Sequence, residues 1–152
     1  MRLTTFTDFG LRTLMYLASL PPEQLSSVTE VTKVYHCSQN HLVKVVGQLS
    51  KLGYLQTTRG KYGGICLAMS PRDINIGQVI RQMEKHLDGV DCTTSECELV
   101  GCCKLKAALQ EAMGAFLEAM GNYTLADLVE NQEQLTQIWK VGEMSGSKKS
   151  GK

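Results

Sequence analysis

Three cysteines, Cys92, Cys97 and Cys103, lie in one short segment of the chain. Four residues separate the first two, and five separate the second and third. Thiolates are ligands for soft metals, and a segment without clear helical periodicity can wrap around a metal centre. The residue types and their spacing therefore indicate metal chemistry in this segment.

The kind of metal centre follows from what accompanies the three thiolates. Structural zinc sites usually need a fourth ligand and favour C-x2-C pairs, which this segment lacks. Iron–sulfur clusters are held by thiolates and can accept a different ligand at one position. The spacing favours such a cluster, with one iron open to attack by a small diatomic molecule. Cys102 could substitute for Cys103, and a chance cluster of inert thiols is the alternative.

Composition limits the class of protein. The chain has 152 residues, enough for one domain or a small domain with an oligomerisation arm. No run of about 18 apolar residues occurs, so no membrane span is predicted. The first residues lack the apolar core of a signal peptide, which predicts a cytoplasmic protein. There, six cysteines are metal ligands or plain thiols rather than a disulfide framework, and Cys37 and Cys66 are interpreted as small buried apolar side chains.

The elements that must position the cysteine segment begin with three helices. Apolar spacing predicts a helix over 8–20, with Thr7 as its N-cap. The capping-box pattern Ser27-Val28-Thr29-Glu30 opens a short second helix. A third helix follows over about 39–52, and Gly53 supplies its C-terminal cap. A short helix, a tight turn and a longer helix in this order predict a helix-turn-helix.

A small hairpin is predicted next. The segments 54–58 and 65–69 are rich in strand-forming residues and flank the basic, glycine-rich loop 59–64. Two strands joined by such a loop are typical of the wing of a winged helix-turn-helix. A fourth helix is predicted at about 76–83.

The third helix and the wing carry side chains suited to nucleic acid. Amides and imidazole can read base edges in a major groove, while lysine and arginine contact phosphates. Residues 1–86 hold ten Lys/Arg against five Asp/Glu, and residues 87–152 hold six against ten, giving +5 and −4. A basic first half suits a module that faces phosphates. The candidate DNA-binding residues are Ser38, Gln39, Asn40, His41, Lys44, Gln48, Lys51, Arg59 and Lys61.

A long amphipathic helix is predicted from about residue 104 to 120. One helix cannot bury its apolar stripe alone, so we expect it to pack on its twin in a dimer, with packing on its own domain as the alternative. The fold class is mainly α with a small β-wing, a winged helix-turn-helix plus a long dimerisation helix. The predicted organisation is a DNA-binding domain over 1–86, a cluster-binding loop over 87–103, dimerisation and C-terminal helices over 104–141, and a disordered tail over 142–152.

On these residues the chain resembles the nitric-oxide-sensing iron–sulfur repressors of the NsrR type, within the wider group of cysteine-bearing winged-helix regulators. The resemblance runs from residues 3–12 to residues 122–129 and includes residues 40–44 and 59–64. Its specific part is the spacing of the three cysteines followed by Lys104-Leu105-Lys106, which implies that Cys103 rather than Cys102 is the third ligand. Related regulators of cluster assembly use a histidine a few residues after the third cysteine, and this chain has none there.

The resemblance implies a homodimer in which each subunit holds one cluster, a 4Fe–4S cluster, with 2Fe–2S as the alternative. The implied metal ligands are Cys92, Cys97, Cys103 and Asp8 of the partner subunit. A carboxylate is favoured in the first turn of a helix, and its hard oxygen is a weak, replaceable ligand for iron. Arg12, one turn further on, is expected to hold this carboxylate or to bridge the subunits, and so to couple the metal centre to DNA binding.

The implied function is a transcriptional repressor that binds an inverted-repeat operator in double-stranded DNA. Nitric oxide would displace the Asp8 ligand, reorient the DNA-reading helices and allow transcription of genes for nitric oxide detoxification. A redox-responsive repressor of the same fold, with an iron–sulfur, thiol or zinc site and a different effector, is the alternative. An enzyme is not predicted, because no C-x2-C redox pair or acid–base constellation accompanies the cysteines.

Overall fold

The computed structural model describes residues 2–22, 24–92, 97–99 and 101–146. Strands β1 Leu55–Thr58 and β2 Gly64–Leu67 pair antiparallel, and a 3-10 turn spans Pro71–Asp73. The predicted fold class, mainly helical with a small wing, is confirmed. The helices are α1 Thr5–Ala18, α2 Val28–Tyr35, α3 Gln39–Lys51, α4 Ile76–Met83, α5 Lys104–Gly121, α6 Leu125–Leu128 and α7 Gln132–Gly146.

Helix α1 begins at Thr5, earlier than the predicted start at residue 8. Its N-cap is Thr4, whose Oγ1 accepts the backbone N–H of Thr7 at 3.4 Å. Thr7, the predicted cap, is fully buried instead. The prediction was wrong because Thr4, Thr5 and Thr7 lie close together where the helix begins, and a threonine at any of these positions can act as a cap.

Helices α2 and α3 form the predicted helix-turn-helix. The capping box is present: Ser27 Oγ accepts the N–H of Glu30 at 3.1 Å, and the Glu30 carboxylate accepts the N–H of Ser27 at 2.8 Å. Helix α2 ends at Tyr35, and the φ of its C-cap His36, 51°, lies in the left-handed region. Gly53, with φ 83°, turns the chain after α3, as the sequence predicted. The apolar residues of α3 that are buried are Leu42, Val45, Val46 and Leu49.

The wing is tied to the segment that precedes α2. Ile65 of β2 donates its N–H to Ser26 O at 2.8 Å, and Ser26 donates its N–H to Ile65 O at 3.0 Å. A Cβ added to Gly64 would lie 2.5 Å from Ser26 O, and one added to Gly63 would lie 2.1 Å from Thr58 O. These two glycines are therefore required by the fold of the hairpin itself.

Helices α4 and α5 cross in close contact. A Cβ on Gly77 would lie 2.7 Å from both Leu117 O and Gly121 N. Asn75 caps α4 and also donates its Nδ2 to Gly121 O at 2.6 Å. The crossing therefore depends on a missing side chain in α4 and on a hydrogen bond beside it.

The apolar stripe of α5 divides into two halves. Met113 and Leu117 are buried against the chain's own core. For this half of the stripe, the alternative prediction, packing of the helix on its own domain, applies. Leu105 is 63% exposed, and Ala108 and Ala112 are also exposed. The first half of the stripe therefore remains free to meet a second subunit.

Helix α7 packs on the helix-turn-helix and on α1 through one aromatic cluster. The Trp139 ring lies 5.3 Å from the Tyr16 ring and 6.5 Å from the Tyr35 ring, measured between centroids. Gln132 donates its Nε2 to Ser19 O at 2.7 Å. These contacts join α7 to α1 and to the end of α2.

The C-terminal elements share the core of the helix-turn-helix. Leu117 and Leu125 belong to the same cluster of buried residues as the apolar faces of α1, α3 and α4. The predicted boundary of the DNA-binding domain at residue 86 stays a prediction. Helix α7 reaches Gly146, within the tail predicted to be disordered, and residues 147–152 lie outside the described residues. Among the helices that the structure describes, none has the length and apolar character needed to cross a membrane.

A buried carboxylate fixes the first turn of α1. Glu84, which follows α4, accepts the N–H and the Oγ1–H of Thr4, each at 2.9 Å, and the N–H of Lys85 at 3.2 Å. Burial disfavours the ionised form of Glu84, but hydrogen bonds from Thr4, Thr7 and Lys85 outweigh it, and the pKa of Glu84 is lowered. The start of α1 is thereby held against the end of α4.

We expect Gly77→Ala to lower the free energy of unfolding by about 1–3 kcal/mol, because the new methyl group meets the backbone of α5. Urea unfolding followed by circular dichroism measures this loss. Gly114→Ala on α5 is the matched control, since no atom of the described structure lies within 4 Å of its added Cβ and alanine favours the helix. Equal stability of the two variants would contradict the close crossing.

We expect Glu84→Gln to lower the free energy of unfolding by about 1–2 kcal/mol at pH 7, through weaker hydrogen bonds to Thr4. Because the folded-state pKa of Glu84 lies below the ordinary value of 4.5, its stabilisation is present above that pH and is lost as the pH falls through the folded-state pKa. The stability difference between wild type and variant should therefore shrink in acid. Thermal unfolding between pH 7 and pH 3 tests this, and parallel curves would contradict it.

Candidate functional site

Most of the predicted polar and basic side chains of α3 and of the wing are exposed. In the described part of the chain, no carboxylate forms an ion pair with Lys44, Lys51, Arg59 or Lys61. Four cations without a neutralising partner are available to an anionic polymer. The predicted DNA-binding residues that are exposed are Ser38, Gln39, Asn40, Lys44, Lys51, Arg59 and Lys61.

Two of the predicted DNA-binding residues are only half-exposed. The His41 ring packs edge-on against the Phe9 ring at 5.5 Å and lies 6.1 Å from the Phe6 ring. Gln48 is also half-buried. His41 therefore helps to pack α3 on α1, and its role in reading bases stays a prediction.

Three exposed residues of this surface were not identified from the sequence. Val43 and Gly47 lie on the exposed face of α3, and Val43 is 52% exposed. Tyr62 at the tip of the wing is 84% exposed, with Lys61 Nζ 5.8 Å from its ring centroid. Helical spacing already places Val43 outside the buried stripe of α3. Val43 was not identified as a candidate because an apolar side chain is not one of the residue types that indicate contact with DNA.

Ser38 precedes α3 but does not act as a side-chain cap. Within the described residues, its hydroxyl makes no capping hydrogen bond. The hydroxyl and the first N–H groups of α3 therefore keep hydrogen-bonding capacity for a group outside the chain, such as a phosphate.

The cysteine segment ends on a helix. Cys103 is the N-cap of α5, and among the described residues its thiol makes no capping hydrogen bond. Cys102 is exposed, and its Sγ donates to Leu99 O at 3.6 Å. Helix N-termini favour negative charge, so the start of α5 suits a thiolate ligand at Cys103. Cys92, Cys97 and Cys103 are each half-buried and free of disulfide bonds.

The donor set fits an iron–sulfur cluster by its chemistry. Residues 92, 97 and 103 are free thiols, and the described residues next to them before α5 are not helical. Among the described residues, however, no three His, Cys, Asp or Glu side chains converge on one point. Residues 93–96 and 100, which connect the three cysteines, lie outside the described residues.

Asp8 and Arg12 form an ion pair on the surface of α1. Arg12 Nε lies 2.8 Å from Asp8 Oδ1, and the two side chains are 50% and 43% exposed, respectively. The hydrogen bond with Asp8 raises the pKa of Arg12. The accessible carboxylate of Asp8 is thus oriented by a residue one turn along the helix.

Arg12 also contacts the end of α2. Its guanidinium carbon lies 5.8 Å from the centroid of the Tyr35 ring, and the Tyr35 hydroxyl donates to Arg12 O at 3.0 Å. Burial raises the pKa of Tyr35, so its hydroxyl stays protonated as a donor. A short path of contacts therefore leads from Asp8 to the residue that precedes the turn into α3.

Cys37 lies in that turn. Its thiol is half-buried rather than fully buried as predicted, and this burial raises its pKa. Cys66 on β2 is half-buried as well.

Comparison with solved structures shows which proteins share this fold. CymR (YrzC), the global cysteine regulator of B. subtilis, is similar with TM-score 0.68 and 24% identity, covering 86% of this chain and 98% of its own. T. potens IscR gives TM-score 0.68 and 24% identity over 89% of this chain and 90% of its own. Staphylococcus aureus CymR gives TM-score 0.65 and 24% identity over 84% and 97%.

The sequence also matches a family model. The match is to Rrf2, described as iron-dependent transcriptional regulator, and covers residues 3–131. That span contains the helix-turn-helix, the wing, the cysteine segment, α5 and α6. The chain therefore belongs to the Rrf2 family of transcriptional regulators.

Proposed function

We propose that this Rrf2 regulator is a transcriptional repressor that senses nitric oxide through an iron–sulfur cluster and derepresses genes for nitric oxide detoxification. The observation that carries the proposal is the set of three free, half-buried thiols, the last of which stands at the N-terminus of α5. The family description as an iron-dependent regulator supports iron as the metal. The absence of a histidine from Lys104-Leu105-Lys106-Ala107 separates this chain from the cluster-assembly regulators.

Cys92, Cys97 and Cys103 would hold the cluster, and Asp8 of the second subunit would supply the fourth ligand. A 4Fe–4S cluster is proposed, with 2Fe–2S as the alternative form. When bound, the cluster supplies an iron that reacts with nitric oxide where a weak oxygen ligand is easily replaced. The exposed carboxylate of Asp8 supports this role, since a group that reaches another subunit must be accessible.

Rrf2 regulators bind DNA and are typically dimers. In the proposed homodimer, the exposed half of the α5 stripe packs on its twin, and two copies of α3 enter successive major grooves of an inverted-repeat operator. The wing residues Arg59 and Lys61 contact the backbone beside them. The proposed organisation keeps a DNA-binding domain over 1–86 and a cluster-binding loop over 87–103, in a cytoplasmic protein.

We propose that the state of the metal centre is coupled to DNA binding through the position of α1. The carboxylate of Asp8 either meets the metal centre of the other subunit or bonds only to Arg12. Arg12 holds Tyr35 at the end of α2, so a shift in this pair moves the turn that leads into α3. A change of about 3 kcal/mol in binding free energy would lower DNA affinity by more than a hundredfold.

The proposal is tested on protein purified without oxygen. We expect visible absorption with bound iron and sulfide, binding to a promoter fragment, and release of that fragment on addition of nitric oxide. Colourless protein that still responds to oxidants would favour the thiol or zinc alternative. Coloured protein that responds to a different effector would favour another iron–sulfur regulator, and failure to bind any promoter fragment would contradict repression itself.

We expect Cys103→Ser to abolish retention of iron and sulfide, because the thiolate at the N-terminus of α5 is lost. Cys102→Ser is the matched control and should retain both, since the Cys102 thiol faces Leu99 O. Iron and sulfide analysis of the two anaerobic preparations measures the difference. The reverse result would assign the third ligand to Cys102.

We expect Asp8→Ala to keep the cluster on its three cysteines but to change its rate of reaction with nitric oxide and to reduce the effect of nitric oxide on DNA affinity. Stopped-flow absorption and fluorescence anisotropy measure the two quantities. Asp73→Ala changes an exposed acid in the 3-10 turn and serves as the control. Identical kinetics in wild type and Asp8→Ala would remove Asp8 from the metal site.

A further inference from the structure

The exposed face of α3 contains two residues that the fold does not need. Val43 is 52% exposed, and a β-branched side chain favours a helix less than alanine does. Gly47, one turn further on, is exposed, and no described atom lies within 4 Å of its added Cβ. Alanine would fit at both positions and strengthen the helix, so their presence points to a contact outside the chain.

Their positions place both residues at the centre of the proposed reading face. Asn40, Val43 and Gly47 are spaced by three and four residues, so they follow one another along one side of the helix. Lys44 and Lys51 are exposed on the same helix. Val43 therefore forms a small apolar patch on the exposed face of α3, next to the amide of Asn40 and the lysines of the same helix. Gly47 leaves the backbone of this face uncovered, because it has no side chain.

This chemistry fits the major-groove edge of a thymine. The C5-methyl group of thymine is the apolar group that a base pair presents in the major groove. A single exposed valine among unpaired lysines is too small and too basic a surface for a stable protein partner, which needs a patch of about 800 Å² on each side. The cations Lys44, Lys51, Arg59 and Lys61 suit phosphates instead.

We infer that Val43 contacts a thymine methyl group in each half-site of the operator, and that Gly47 lets the α3 backbone approach the bases closely enough for this contact. The inference deepens the proposed function and rests only on its DNA-reading part, not on the metal or the effector. It makes Val43 a residue that determines sequence preference.

The test uses a duplex that the full-length protein selects from a random double-stranded library. The duplex is resynthesised with deoxyuridine in place of thymidine, which removes only the methyl groups, and thymidine is then restored one position at a time. We expect Kd to rise about fourfold for the critical thymine in each half-site, or about 15-fold for both. Restoring thymidine at those two positions should recover the affinity.

Val43→Ala provides the matching change on the protein. If Val43 makes the contact, the variant should bind the thymidine and deoxyuridine duplexes with nearly equal Kd, because the two changes remove the same interaction. Val43→Ile, which keeps a branched apolar side chain, should retain the discrimination. Val43 is exposed, so thermal unfolding should show an unchanged fold in both variants.

Gly47→Ala separates a role in DNA approach from a role in folding. We expect it to raise the thermal stability of the protein and at the same time to weaken binding to the selected duplex by tenfold or more. Gly114→Ala, the matched control, should raise stability without weakening binding, since Gly114 is exposed on α5 rather than on α3 and no described atom lies within 4 Å of its added Cβ.

The outcomes distinguish the inference from the function on which it rests. If the protein selects no duplex, the DNA-reading part of the proposed function fails, and the inference fails with it. If a duplex is selected but deoxyuridine changes nothing, or Val43→Ala keeps the full discrimination, only the inference is overturned. Unchanged affinity of Gly47→Ala overturns the close approach at Gly47.

Discussion

The packing of α1 between α3 and α4 is the constraint on which the described structure depends. Gly10 provides the room, since a Cβ there would lie 2.5 Å from Met83 Cε in α4. Thr4 fixes the start of the helix through Glu84, while Phe9 packs on His41 of α3. Because α1 is held at its start and along its length, a displacement of its first turn cannot be absorbed locally.

This constraint gives the proposed sensing a physical basis. The proposed ligand exchange at Asp8 would change one exposed ion pair, and such a pair contributes little free energy by itself. Arg12 contributes a second contact, because its backbone carbonyl accepts the hydroxyl of Tyr35 from the neighbouring helix. In the proposed mechanism, the helix-turn-helix would therefore respond to the position of a whole helix rather than to one surface charge.

Much of the fold was predictable because local signals and the core agree. The capping box at Ser27 and the glycine at 53 set the limits of α2 and α3, and the apolar spacing of α3 identified its buried side. The start of α1 was not predictable, because capping by Thr4 depends on Glu84, which is distant in sequence. The requirement for Gly64 likewise depends on Ser26, which only the folded chain brings close.

The candidate site was predictable in its residue types and less so in its geometry. Exposed lysines follow from helical spacing, but the packing of His41 on Phe9 depends on tertiary contact. The cysteine spacing indicates the kind of metal centre, and the position of Cys103 at the start of α5 adds an electrostatic reason for its role. The proposed ligand from a second subunit, Asp8, cannot be derived from the periodicity of one chain.

Helix α7 lies beyond the family match, which ends at residue 131. Its Trp139 nevertheless rests on Tyr35, the last residue of α2. Helix α7 therefore contacts the end of the helix that leads into α3. A chain shortened to the family match would lose the ring contact of Trp139 with Tyr35, so it would not be equivalent to one that keeps α7.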